Sequence, residues 1–244
     1  MRLVRAMKMK AKNLVQKRIN WHTRAIIDRF AIGQRNARFM KNLISISVFC
    51  GVIAGALEIE PVAAAGKSKF NKVLTIGDKA PAWSDLPGVD GKRHDLSEYR
   101  EAKVVVLVFT CNHCPVSRKY EERLIQLAGE RGKQLQIVAI SVSHNSADRL
   151  DKMKVRAAES KLPYPYLYDE SQQSARAYGA TVTPHFFVLD TERRIAYMGA
   201  FDDNFMDPEK AEKHFLTDAV EAVLAGKVPP VKESLQRGCA IDYE

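Results

Sequence analysis

The run Val104 to Phe109, which reads Val-Val-Val-Leu-Val-Phe, constrains the fold of this chain more than any other feature. Apolar and polar side chains do not alternate in it, so the strand that it predicts must be buried on both faces. Strands of this kind lie inside sheets that are covered by helices. Apolar residues at helical spacing follow between Val116 and Gly129, which predicts a helix almost directly after the strand.

The remainder of the chain alternates between the same two kinds of element. The pattern predicts strands at Gln136–Ser143, within Pro163–Tyr168 and near His185–Asp190 and Arg194–Phe201, and helices at Ala147–Ala158, Gln172–Tyr178 and Pro208–Ala225. Strands that alternate with helices and end in a hairpin and a helix are typical of an α/β fold. We therefore expect a central mixed β-sheet flanked by helices on both faces.

The net charge of +9 is confined to the start of the chain. Residues 1–39 hold 11 Lys and Arg against one acid, whereas residues 66–244 hold 26 basic and 26 acidic residues. A neutral domain gives no electrostatic reason to bind nucleic acid, and membrane contact is expected only through the leader.

The region before the domain has the order of a secretory signal peptide. An uncharged apolar run, 43–57, follows Lys41 and precedes the small residues Val62 to Ala65. We predict a basic extension at 1–39, which a wrongly assigned start codon would explain, a signal peptide at 40–65 and a linker at 66–72. A folded domain then spans 73–227, and a C-terminal tail spans 228–244. The protein is expected to be exported, in the periplasm; a retained membrane anchor and an organellar transit segment stay open as alternatives.

Two cysteines, Cys111 and Cys114, lie between the buried strand and the predicted helix. A thiol reacts as its thiolate, and an ordinary pKa of about 8.5 leaves little thiolate at neutral pH. The N–H groups at the helix N-terminus and the ring of His113 are expected to favour the anion on Cys111. Cys114, one turn later, can attack as a resolving thiol. The motif therefore predicts a redox-active disulfide that needs no other cofactor.

The motif and its surroundings resemble the thioredoxin superfamily over roughly residues 74–226. The resemblance rests on the strand, the Cys-Asn-His-Cys sequence at a helix start and the pair Thr183-Pro184 before a second strand. The openings Gly77-Asp78-Lys79-Ala80-Pro81 and Asp90-Gly91-Lys92 are similar to the redoxin branch (alkyl hydroperoxide reductase/thiol-specific antioxidant). This resemblance implies that Cys111 attacks, that Cys114 resolves, and that a cis-proline loop at Thr183-Pro184 offers its backbone to a substrate strand.

Three departures from the patterns of the superfamily limit what the resemblance implies. Thr110 replaces the tryptophan of thioredoxins, and Val105 replaces their buried acid, so no base is assigned to Cys114. Val108 stands three residues before Cys111, where peroxiredoxins carry a threonine. A peroxiredoxin-like thiol antioxidant is therefore an alternative that the sequence disfavours.

Metal binding is the other alternative for these cysteines. Structural zinc needs four ligands, commonly from a second Cys or His pair, and the sequence offers none. His185 directly follows Pro184, so Cys111, Cys114 and His185 together would suit a copper-binding metallochaperone of thioredoxin fold. A polar residue at a strand start is the simpler interpretation of His185.

The sequence leaves two interpretations of Cys239 open. It is either a third redox thiol that reaches the pair or a buried cysteine that takes no part in the reaction. The function that the sequence predicts is that of an exported thiol–disulfide oxidoreductase. Its partners are expected to be protein thiols or disulfides and a further redox protein.

Overall fold

The computed structural model describes residues 68–244. The predictions for 1–39 and 40–65, and the first two residues of the predicted linker, lie outside the described residues. Within residues 68–244, no helix combines the length and the apolar character that crossing a membrane requires.

The domain is built on a mixed five-stranded sheet, as the sequence predicts. Two short strands come first, β1 (Leu86–Pro87) and β2 (Arg93–His94), and they form a hairpin of their own. The strands of the sheet are β3 (Val104–Phe109), β4 (Leu135–Ser141), β5 (Tyr166–Tyr168), β7 (His185–Leu189) and β8 (Ile195–Gly199). They lie in the order β5-β4-β3-β7-β8, with β3 parallel to β4 and antiparallel to β7. All six residues of β3 have no exposed surface, because β3 is the central strand and both of its faces are covered.

Helices cover both faces of the sheet. They are α1 (Pro115–Arg131), α2 (Leu150–Ser160), α3 (Gln173–Tyr178) and α4 (Phe215–Leu224). Successive side chains of β3 point to opposite faces, so the sheet separates two cores. Val104, Val106 and Val108 pack with side chains of α1, α2 and α4, whereas Val105, Leu107 and Phe109 pack with α3 and the segment around Trp83. The expected α/β architecture is therefore present.

The last helix begins later than the sequence predicts. Pro208 starts a separate 3-10 turn that ends at Lys210, and α4 begins only at Phe215. The Asp203 carboxylate accepts hydrogen bonds from the amides of Glu212 and Lys213, at 3.0 and 3.2 Å. These bonds hold the intervening chain outside a helix, so the predicted start at Pro208 is wrong.

The segments on either side of the predicted domain pack against it. Asn71, within the predicted linker, is buried and donates a hydrogen bond of 2.8 Å from Nδ2 to the Tyr178 carbonyl. The segment predicted as a tail, 228–244, runs back over the domain, and its strand β9 (Cys239–Ala240) pairs antiparallel with β6 (Val182–Thr183). Both segments therefore belong to the folded unit from Ser68 onward.

Candidate active site

The sheet register brings the two sequence motifs together. Phe109, the last residue of β3, pairs with His185 at the start of β7. The Cys111–Cys114 motif leaves β3 at this end, and Thr183-Pro184 enters β7 at the same end, so the two lie side by side. The Thr183–Pro184 peptide bond is cis. The cis-proline loop that the resemblance implies is thus present beside the cysteines.

Both cysteines contact Thr183. The Cys111 Sγ lies 3.3 Å from the Thr183 Oγ1, and the Cys114 thiol donates to the Thr183 carbonyl at 3.0 Å. Cys111 is 4% exposed and Cys114 is fully buried. Cys114 is the N-cap of α1, and Pro115 occupies the first helical turn, where a missing N–H costs little. An incoming molecule can therefore reach Cys111 more readily than Cys114.

The two thiols behave as one acid–base unit. The hydrogen-bonding interaction with Cys111 lowers the pKa of Cys114 to about 3 against the effect of burial, and the amide of Ser117 contributes in the same direction. The same interaction with Cys114, reinforced by burial, raises the pKa of Cys111. The preference for an anion on Cys111 that the sequence indicates therefore stays a prediction, because the charge of the reduced pair belongs to both sulfurs. One proton is shared between the two sulfurs, and the pair titrates in two steps.

His113 has a partner that sequence reasoning missed. Its backbone amide donates to the Asp148 Oδ1 at 3.0 Å, and its ring contacts the other oxygen of the same carboxylate. Asp148 is fully buried, and its negative charge contributes to the raised pKa of Cys111. A 3-10 turn, Ser146–Asp148, carries this carboxylate into the site. The only signal in the sequence was an acid in the first turn of a predicted helix, 35 residues away from His113.

Among the described residues, one group places three metal-ligating atoms within 4.8 Å of one another, and it consists of Cys111, His113 and Asp148. His185 is not a member of that group. It is buried, burial lowers its pKa to about 3, and its ring lies 4.4 Å from the ring of Phe187. The group in the structure therefore differs from the alternative copper set of Cys111, Cys114 and His185.

Cys239 lies at the same site. In the pairing of β6 with β9, Cys239 is opposite Thr183, and the Ile241 amide donates to the Thr181 carbonyl at 2.9 Å. Hydrogen bonding with Cys239 is one of the contributions that lower the pKa of Cys114. The backbone edge expected to accept a substrate strand is therefore already paired with the chain's own C-terminal segment.

A cleft of about 350 Å³ opens beside Cys111. It is lined by Cys111, His113 and Thr183, by residues 142–145, and by the C-terminal residues Ala240, Ile241, Asp242 and Glu244. This volume lies at the lower end of the range for ligand pockets in proteins. The cleft is the route by which a disulfide or thiol can approach the first cysteine.

A central mixed sheet, two neighbouring thiols at a helix start and a cis-proline loop define a thioredoxin-fold redox protein. Residues 76–198 match the profile of the AhpC/TSA family, and the chain belongs to that family. Family and fold together indicate a redoxin-type oxidoreductase. A comparison with curated proteins finds no match.

Solved structures with the same fold extend the comparison. A hypothetical protein from Sinorhizobium meliloti 1021 is 32% identical, with a TM-score of 0.64, over 70% of this chain and 96% of that one. An uncharacterized conserved protein from Geobacillus kaustophilus is 31% identical, with a TM-score of 0.66, over 71% of this chain and 95% of that one. A candidate thiol:disulfide interchange protein, DsbE, from Chlorobium tepidum is 27% identical, with a TM-score of 0.51, over 62% of this chain and 99% of that one.

Proposed function

We propose that this protein is an exported thiol–disulfide oxidoreductase that exchanges disulfides through Cys111 and Cys114. The observation that carries the proposal is the shared contact of both thiols with Thr183, directly before the cis-proline. The likeness to the candidate interchange protein from Chlorobium tepidum supports the same class of reaction. Its partners are protein thiols or disulfides and a further redox protein, and the redox-active disulfide is its only cofactor.

The reaction begins with transfer of the shared proton. As a substrate disulfide enters the cleft, the proton passes from Cys111 to Cys114, and the Cys111 thiolate attacks one substrate sulfur. A mixed disulfide forms, and the second substrate sulfur leaves as a thiolate. Cys114 then attacks Cys111, expels the first substrate sulfur and gives up its proton to it. The substrate gains two electrons and one proton from the pair, its thiolate takes a second proton from the solvent, and the protein is left with a Cys111–Cys114 disulfide.

The accessibility of the two sulfurs supports this division of roles. Cys111 lines the cleft, whereas Cys114 is fully buried behind the Thr183 carbonyl. A thiol that never meets solvent is suited to an intramolecular attack. When a substrate arrives, the proton of the pair lies on Cys114 and the negative charge lies on Cys111.

The test is a trapping experiment with matched variants of the full chain. Cys114→Ser should accumulate a mixed disulfide through Cys111 with a model protein disulfide, because the thiol that attacks Cys111 has been removed. Cys111→Ser should accumulate none through residue 111 and should show no exchange activity with that substrate. In the wild-type protein, a titration in defined thiol/disulfide buffers should show a reversible two-electron transition at the pair, read by mass after alkylation.

Two other results would contradict the proposal. Tight Cu(I) binding by wild type without any exchange activity would favour a metallochaperone, with the group around Cys111 as its ligands. Rapid consumption of hydrogen peroxide with no exchange activity would favour a thiol peroxidase.

A further inference from the structure

The C-terminal segment is fixed on both sides of Cys239. Before it, the Ser234 Oγ accepts a hydrogen bond from the Ala200 amide at 2.9 Å and shares another with the Tyr197 hydroxyl at 2.6 Å. After it, the Tyr243 hydroxyl donates to the Ala180 carbonyl at 2.5 Å. Residues 234–243 therefore cross the site along a defined path.

Gly238 makes the closest approach on this path. A Cβ at this position would lie 1.8 Å from the Thr183 carbonyl oxygen and 2.6 Å from its carbon, so no other residue fits there without moving the chain. The segment thus rests on the backbone to which the Cys114 thiol is bonded. This close contact between the two backbones requires that residue 238 has no side chain. It does not involve the cysteine side chains.

The result is a cluster of three cysteines around one residue, Thr183. Cys239 interacts with Cys114, and it is less buried than either cysteine of the motif. Burial, together with that interaction, raises the pKa of Cys239 to about 11, whereas the pKa of Cys114 is lowered. Cys239 therefore carries a proton in the reduced protein.

We propose that Cys239 is a second resolving thiol, held by the β6–β9 pairing so that it can take over the disulfide from Cys111 and Cys114. This inference rests on the proposed function, which supplies the Cys111–Cys114 disulfide. The Cys239 thiolate attacks the Cys114 sulfur, a Cys114–Cys239 bond forms and the Cys111–Cys114 bond breaks. Cys111 leaves as a thiolate and takes up the proton that Cys239 released. The number of disulfides is unchanged, so no further oxidant is needed.

This exchange would restore Cys111 while the disulfide moves to the more exposed cysteine. The segment that carries Cys239 pairs with the backbone edge where the family resemblance expects a substrate strand. The chain would thus present its own thiol in the position of a substrate thiol. A reductant could then attack the Cys239 sulfur without entering the cleft beside Cys111.

Tryptic peptides of the full chain distinguish the two disulfides. Cys111 and Cys114 lie together in the peptide 104–118, whereas Cys239 lies in 238–244. The motif disulfide is therefore internal to one peptide, and a bond to Cys239 joins two. The full chain is reduced, oxidised with diamide, alkylated, digested without reductant and analysed by mass spectrometry. We expect Cys111→Ser to yield the 114–239 cross-link as its main product within a single chain.

Gly238→Ala tests the role of the pairing without touching a sulfur. The added methyl group should displace the segment, with loss of the cross-link in the Cys111→Ser background and retention of the internal disulfide in the wild-type background. Gly129→Ala is the matched control, because a Cβ there meets no atom within 4 Å and the residue lies within α1. It should leave both disulfides unchanged.

The outcomes separate this inference from the proposed function. If Cys111→Ser stays reduced, or joins chains into dimers, while wild type forms its internal disulfide reversibly, the role of Cys239 is refuted and the oxidoreductase stands. A cross-link that survives Gly238→Ala would refute the role of the β6–β9 pairing. If wild type forms no internal disulfide, the proposed function itself fails.

Discussion

Replacing Asp148 by asparagine removes one buried charge from the site and keeps the shape of the side chain. The Asn Oδ1 can still accept the hydrogen bond that the His113 amide donates to Asp148. The negative charge of Asp148 opposes a thiolate on Cys111. The substitution should therefore lower the pKa of Cys111. The comparison is cleanest in a Cys114→Ser background, where no second sulfur shares the proton.

The size of the effect follows from the separation of the two groups. The ligating atoms of Cys111 and Asp148 lie no more than 4.8 Å apart. At that distance two unit charges interact by about 0.9 kcal/mol with an effective dielectric constant of about 80, and by about 3.5 kcal/mol with about 20. The corresponding fall in the pKa is about 0.6 to about 2.5. Because the His113 ring contacts the same carboxylate and offsets part of its charge, we expect a value near the lower limit, about 1.

The assay is the rate of alkylation of Cys111 by iodoacetamide as a function of pH, read at that residue by mass spectrometry. Asp151→Asn serves as the control, because it removes the same charge from an exposed side chain on α2. The control should leave the pKa of Cys111 unchanged. An unchanged or higher pKa in the Asp148 variant would refute the electrostatic argument and would indicate that Asp148 acts by positioning His113.

Two further predictions concern the fold. Asn71→Ala removes the hydrogen bond to the Tyr178 carbonyl and the hydrogen bonds from two backbone amides. Urea denaturation should therefore show a fall of about 1 to 3 kcal/mol in the free energy of unfolding. An unchanged free energy of unfolding would show that this segment does not stabilise the domain. Burial favours neutral His94, but hydrogen bonds with Asp90 and Glu98 outweigh burial and raise its pKa. His94→Gln should therefore cost most stability below pH of about 6.5, and the loss should shrink as pH rises through the folded-state pKa; a pH-independent loss would contradict this.

The sheet and the position of the cysteine motif could be predicted from local patterns. An unbroken run of β-branched residues can be buried only at the centre of a covered sheet, and that constraint fixed the position of Val104–Phe109. The order of strand, Cys-x-x-Cys and helix follows from short stretches of sequence. The cis-proline loop was expected only from the family resemblance, and the structure confirms it at Thr183–Pro184.

The environment of the thiols could not be predicted in the same way. Asp148 reaches His113 across 35 residues, and nothing in its local sequence distinguishes it from a surface acid before a helix. The return of Cys239 to Thr183 depends on anchors at Ser234 and Tyr243, whose partners lie on other elements of the fold.

The anchors on both sides of Cys239 also set the kinetic order of any exchange with Cys114. A segment that is ordered on folding brings its thiol to the reaction without a further loss of translational freedom, so its effective molarity can far exceed that of a dissolved thiol. Exchange within the chain would then be independent of protein concentration. It would also compete well against small thiols in the surroundings, because their encounter with the fully buried Cys114 is blocked by the same segment.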